Sequence, residues 1–294
     1  MNEIKIQPAS EWSEGKEGFF RLDEETYRAA DGWSQSMLKT VLRSPACVEQ
    51  SIRYPMVPTW PMELGTLTHK VILEPETFGD GKSHYVQPST YESEKEGVKP
   101  WNANSGVCKK WLAEHTDKPV LSPEEHQTVL EMHNQFHGDE FGSMFAKKGS
   151  GEVAIFHKDA ETGVMLKGKL DLFAFSPEVL LIGDLKICAS GDEFEFAQQC
   201  ARLKYHVQTA FYLDLVEAEL RREEIAIPGE MRFLHCTLES KRPHFLEWRE
   251  LDQEGIYKGR VLYKQAIADL VRANETEHFA LIRTVSLPKW AVEM

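Results

Sequence analysis

Apolar residues recur along this chain first at helical spacing, then in alternation, then at helical spacing again. After Trp33, the residues Met37, Leu38, Val41 and Leu42 form one face of a short predicted helix, with Ser34 or Ser36 as its cap and Ser44-Pro45 as its end. Met62 to Leu73 predicts a second helix, with Leu67, Val71 and Ile72 on one side and His69 within it. Pro55, Pro58 and Pro61 predict an extended loop between the two. Residues 79–104 are polar and rich in turn formers, which predicts a long loop. Helices follow at 105–115 and 123–137, the latter opened by Pro123 with Ser122 as its cap. Residues 1–31 show no period and read as a polar, acidic N-terminal arm.

The rhythm changes at the centre. Residues 152–157 and 164–175 predict two strands joined by a turn through 159–163. Val179-Leu180-Leu181-Ile182 predicts a short buried strand. Residues 193–222 then read as one or two helices, 231–238 and 244–248 as two more strands, and 251–273 as a further helix. Helices flanking a central sheet place the chain in the α/β or α+β class, as a single domain over 32–294 that follows the arm.

Composition supports a folded chain: 294 residues, 41% hydrophobic and 28% charged, are enough for a sizeable core. The formal charge of −13 argues against a surface that coats polyanions generally. That charge is uneven: residues 1–100 carry −5, residues 101–200 carry −7 and residues 201–294 carry −1. No Arg lies between Arg53 and Arg202, so an anion site must draw on lysines or on the last third. The cysteines, Cys47, Cys108, Cys188, Cys200 and Cys236, are odd in number and widely spaced, and form neither a zinc knuckle nor a disulfide framework. No signal peptide or membrane span is legible, which points to a reduced, cytoplasmic protein.

The chemistry gathers around two strands. Alternation places Lys167, Lys169 and Asp171 on one face, with Leu166, Leu170 and Leu172 on the other. Thirteen residues after Asp171 come Gly183-Asp184-Leu185-Lys186, at the end of the apolar strand. Asp184 and Lys186 project to the same side, where a strand-end ion pair is the plainest explanation. Two carboxylates from adjacent strands also suit a hard divalent cation, and a nearby Lys suits water orientation and phosphate charge balance. Alone, the triplet is weakly specific. Tyr205, Gln208 and Tyr212 then share one helical face beside it, while Val207, Ala210 and Phe211 serve a core face.

These residues resemble the RecB-like branch of the PD-(D/E)xK nucleases: Gly183-Asp184-Leu185-Lys186, then Gln208 and Tyr212 in a QxxxY spacing. Further segments resemble the exodeoxyribonuclease VIII, or RecE-type, nuclease domain. They are Ser44-Pro45-Ala46, Gly65-Thr66-Leu67-Thr68-His69, Leu73-Glu74-Pro75-Glu76-Thr77-Phe78 and Ser286-Leu287-Pro288-Lys289-Trp290-Ala291. The resemblance runs from about Gly32 to Trp290 and implies a restriction-endonuclease-like core, with a central mixed sheet flanked by helices.

The resemblance also implies roles. Asp171, Asp184, the Leu185 carbonyl and His69 match metal ligands, Glu152 matches an acidic position on the first strand, and Lys186 matches the catalytic lysine. Gln208 and Tyr212 match the pair that supports the lysine and substrate phosphate, with Tyr205 beside them. The implied activity is Mg²⁺-dependent exonuclease action, with Mn²⁺ as a substitute, from the 5′ ends of linear duplex DNA. The implied partners are DNA ends, a single-strand annealing protein and further copies of the chain in a tetrameric ring. Such a ring would need a basic channel only, for which Lys167, Lys169, Lys204, Arg202 and Lys39 are candidates. Leu170 stands where the superfamily name has proline, and Ile187 and Cys188 where relatives often carry threonine.

Other readings compete. His126, His133 and His137 form nearly one helical stripe but lack the HExxH glutamate, and read as exposed helix residues. His206 and His235 read as packed or surface histidines. The cysteines do not cluster as an iron–sulfur ligand set. An endonuclease on the same core and an inactive DNA-end-binding scaffold remain the alternatives to an exonuclease.

Overall fold

The computed structural model describes residues 4–93, 95–277 and 279. The Ser286–Ala291 motif lies outside them. Two short strands, β1 (Ile6–Pro8) and β2 (Gly18–Arg21), open the chain. Four helices follow: α1 (Glu24–Ala29), α2 (Gln35–Val41), α3 (Ala46–Arg53) and α4 (Trp60–Leu73). A small module comes next, with β3 (Tyr85–Val86), β4 (Thr90–Ser93), β5 (Gly97–Pro100), α5 (Gly106–Glu114) and β6 (Val120–Leu121). Then come α6 (Pro123–Gly138), α7 (Glu140–Lys148), β7 (Ser150–Lys158), β8 (Met165–Phe175) and β9 (Val179–Cys188). The last elements are α8 (Glu193–Leu203), α9 (Tyr205–Arg222), β10 (Glu230–Glu239), β11 (Leu246–Arg249) and α10 (Gln253–Thr276).

Seven strands form one mixed sheet in the order β1-β2-β7-β8-β9-β10-β11. The neighbours from β2 to β9 run antiparallel, β9 and β10 run parallel, and β11 turns back on β10. The parallel pair requires a crossover, and α8 and α9 supply it. Helices cover both faces. On one, Leu38 and Val41 of α2, Val207, Ala210 and Phe211 of α9 and Ala266 and Leu270 of α10 bury Leu170, Ile182 and Phe233. On the other, Ile72 of α4, Met132 and Phe136 of α6 and Phe145 of α7 bury Leu172, Leu185 and Leu234. This is the expected central mixed sheet flanked by helices.

The N-terminal segment is not a separate arm. β2 pairs with β7, and Phe19 and Phe20 are buried, so two adjacent aromatics tie it to the sheet from both faces. The module at 79–104 likewise holds β3, β4 and β5 in place of a plain loop.

Candidate active site

The site forms where the sheet divides. The ladder between β8 and β9 runs from Phe175–Leu180 to Leu172–Gly183 and stops there. Beyond that pair, β9 stays bonded to β10 and β8 stays bonded to β7. The next residues in register, Asp171 on β8 and Asp184 on β9, therefore flank the notch where the strands part. The division also breaks the expected alternation: Leu170 and Leu172 belong to cores on opposite sides of the sheet. Glu152 lies opposite Asp171 on β7, between the Gly151–Leu172 and Val153–Leu170 pairs, with a left-handed φ of 54°. A non-glycine residue held there marks local backbone strain of the kind found at functional sites.

Each acidic residue has a defined set of partners. Asp171 Oδ2 accepts His69 Nε2–H at 2.9 Å and Leu185 N–H at 3.0 Å. Asp184 is buried; its Oδ1 accepts Gln208 Nε2–H at 2.6 Å, and Lys186 Nζ lies 2.6 Å from its Oδ2. His235 Nδ1 lies 3.4 Å from the same oxygen, while its Nε2 takes the Thr209 hydroxyl at 3.0 Å. That pair of bonds suits a neutral His235, whose pKa burial pushes down. Burial would raise the Asp184 carboxyl, but Lys186 and His235 hold it well below the carboxylate range. Burial would lower Lys186, yet Asp184 and Asp171 raise it, so the ammonium is the resting form. Burial likewise opposes the charge on His69, and Asp171 overcomes it.

The helix face expected beside the site divides its work. Gln208 bonds Asp184 rather than Lys186. Tyr212 is buried and donates its hydroxyl to the Lys169 carbonyl at 3.1 Å, so it holds the strand that carries Asp171. Its ring fills the space over Gly168, where a β-carbon would stand 2.6 Å from Cε1. Tyr205 lies under Lys186, with Nζ 4.8 Å from the ring centroid.

Two expected substrate lysines are already engaged. The Lys167 ammonium is buried against the carbonyls of Tyr27, Arg28 and Ala30, where it neutralises the C-terminal end of α1. Lys169 pairs with Glu24 and Glu152. Burial raises the Glu152 carboxyl despite that partner. Both lysines line the cleft beside Asp171. Arg202 is exposed on α8, and Lys39 and Lys204 lie near Tyr205. A cleft of about 970 Å³ opens beside Asp171, lined among others by Glu24, Tyr27, Ser36, His69 and Glu152.

His235 and Thr209 were not among the expected site residues. The signal was available in register: His235 on β10 pairs with Asp184 on β9. The His126, His133 and His137 stripe is not exposed as expected. Phe78 stacks on His126 and His133, His84 bonds His126, and His137 bonds the Ile72 carbonyl. These interactions make the stripe the packing surface between α6 and the end of α4.

Asp171, Asp184, His69 and the Leu185 carbonyl offer nitrogen and oxygen donors of the types that suit a hard divalent cation, although the ligand atoms of Asp171, Asp184 and His69 do not all lie within 4.8 Å of one another. The short His69–Asp171 and Lys186–Asp184 approaches already balance the two carboxylates. Elsewhere, ligand atoms of Glu17, His157 and Glu219 lie within 4.8 Å of one another. There Arg222 grips Glu219 through Nε and a terminal nitrogen, which makes an ion-pair network the simpler account.

A divided sheet carrying D…DxK defines a nuclease-type core, and the comparisons agree. The chain belongs to the family described as "PDDEXK-like domain of unknown function (DUF3799)", whose model matches residues 34–279. No curated protein matches it. A solved structure of a candidate exonuclease from Eubacterium rectale is similar at TM-score 0.56 and 14% identity, over 90% of this chain and 96% of that one. At that identity the likeness shows the fold. Another solved structure, SSO0001, aligns at TM-score 0.28 and 13% identity over 69% of this chain and 84% of its own. No helix among the described residues is long and apolar enough to cross a membrane.

Proposed function

We propose that this protein is a metal-dependent exonuclease that hydrolyses linear duplex DNA from its 5′ ends and leaves a 3′ single strand. The observation that carries this reading is the notch between β8 and β9, which Asp171 and Asp184 flank and where Lys186 is bound to Asp184. Asp171, Asp184, His69 and the Leu185 carbonyl would hold the cation. When bound, Mg²⁺ or Mn²⁺ supplies positive charge to the scissile phosphate and its transition state. Lys186, kept charged by Asp184 and placed over Tyr205, orients water for in-line attack and balances the phosphate. The bond to the 3′-oxygen breaks. Gln208 and His235 fix the Asp184 carboxylate, and Tyr212 fixes the strand behind Asp171, so these residues position the reacting groups.

The family resemblance extends the proposal to a homotetrameric ring, a single-strand annealing partner and a cytoplasmic setting for DNA recombination. The test uses end-labelled linear duplex and covalently closed circular DNA with Mg²⁺, Mn²⁺ or EDTA. Nucleotide release from the linear substrate only, with either metal and not in EDTA, is expected. Cutting of the circle would assign an endonuclease instead. DNA-end binding without cleavage under either metal would assign a binding scaffold.

A further inference from the structure

Positive charge gathers beside Lys186 in a chain whose net charge is −13. Lys39 of α2 places its Nζ 5.8 Å from the centroid of the Tyr205 ring, the same ring that underlies Lys186. Lys204 joins α8 to α9 in a left-handed conformation, φ 54°, and so sits at the start of the helix that Tyr205 begins. Lys258 arrives from α10. Its neighbour Gly259 packs on the main chain of α9, where a β-carbon would stand 1.9 Å from the His206 carbonyl oxygen. Only glycine permits that approach, and the exposed Lys258 beside it lies close enough to act on His206.

Lys39, Lys204 and Lys258 make no ion pair among the described residues, whereas Lys167 is held by main-chain carbonyls and Lys169 by two glutamates. The surroundings register the crowding. Burial and then Lys186 hold the Lys39 ammonium down to about 8, against the pull of Asp184. Burial pushes His206 down as well, with Lys39, Lys204 and Lys258 adding to it. Like charges gathered in excess of their anions cost free energy, which a bound anion lowers. The same arrangement also focuses positive potential in an otherwise acidic molecule.

We propose that Lys39, Lys204 and Lys258, drawn from three elements around Tyr205 and His206, form a subsite for the DNA phosphate backbone next to the scissile bond. The proposal rests on the nuclease reading and deepens it, since it says which side of the notch the strand follows. The strand passes over Tyr205 and His206, not over Lys167 and Lys169.

The test is equilibrium binding of a fluorescent linear duplex in EDTA, where hydrolysis does not run, over a range of salt concentrations. The Lys39→Gln, Lys204→Gln, Lys258→Gln triple variant is expected to bind about tenfold or more weakly at low salt. It should lower the slope of log affinity against log salt by about 0.9 for each phosphate no longer neutralised. Arginine at the three positions should restore both quantities, and Lys109→Gln with Lys110→Gln on α5 should change neither. With Mg²⁺, KM should rise while kcat stays within about threefold. Should the triple variant fail to fold, Lys258→Glu alone, at an exposed position, should weaken binding and reduce the slope. Unchanged affinity and slope in a folded variant would overturn the subsite, and cleavage by the same variant would leave the nuclease reading standing. A wild type that neither binds nor cleaves DNA would overturn both.

Discussion

At the scale of single residues, the site is a set of charges whose partners fix their protonation. Asp184 is buried, so its charge depends on Lys186 and His235. Its folded pKa is depressed, so the associated stability is complete above the unfolded carboxylate range. That stability is lost as pH falls through the folded value. Asp184→Asn should therefore flatten the acid limb of the stability profile below about pH 4, with little change in slope between pH 5 and 7. Urea unfolding across that range checks it; an unchanged acid limb would count against the pair. Gln208 is read by the same logic. Gln208→Leu removes the 2.6 Å bond to Asp184 Oδ1 and should lower kcat by about 10-fold or more, with a smaller change in KM. Steady-state cleavage kinetics measure it.

At the scale of elements, α9 decides the geometry. It is clamped to β8 through Tyr212 and to β9 through Gln208, and Gly168 makes room for the Tyr212 ring. Gly168→Ala would overfill that space and should destabilise the fold by about 1–3 kcal/mol. Chemical denaturation gives the value, and no loss would mean that the ring moves freely. Much of this element plan was legible in the sequence. The helical spacing at Met37, Leu38 and Val41 matches α2, with Ser34 as its cap, and Ser122 with Glu125 forms a capping box on α6. The Asp184–Lys186 spacing and the Gln208–Tyr212 spacing were legible because strand and helix periods are local. Less legible was whatever depends on pairing. β9 extends to Cys188 because β10 pairs along its whole length, although Gly183 and Asp184 read as its end. Phe19 and Phe20 join a strand that finds its partner more than 130 residues later. Lys167 looked available because its acceptors are three carbonyls in α1 and the turn after it, which no alternation pattern reveals.

At the scale of the whole molecule, an acidic chain confines its usable positive charge. The lysines on the cleft side of Asp171 are taken by Glu24, Glu152 and main-chain carbonyls, while those near Tyr205 are not. The proposed substrate would then have a preferred side without a generally basic surface. The divided sheet gives the proposed cation its place. Cation binding to the folded state alone raises stability by mass action. Saturating Mn²⁺ should therefore raise the melting temperature of the wild type by a few degrees, and Asp171→Asn should abolish the rise. Thermal scans with and without Mn²⁺ check this, and an equal rise in the variant would place the cation elsewhere.

The central claim is that the notch of Asp171, Asp184 and Lys186 performs phosphodiester hydrolysis. Its most direct test measures cleavage of end-labelled linear duplex by wild type and Lys186→Ala in Mg²⁺, together with DNA-end affinity in EDTA. The variant is expected to keep its fold and bind DNA within about tenfold of wild type, yet cleave at least about 10²-fold more slowly. A folded Lys186→Ala that cleaves at the wild-type rate would contradict it.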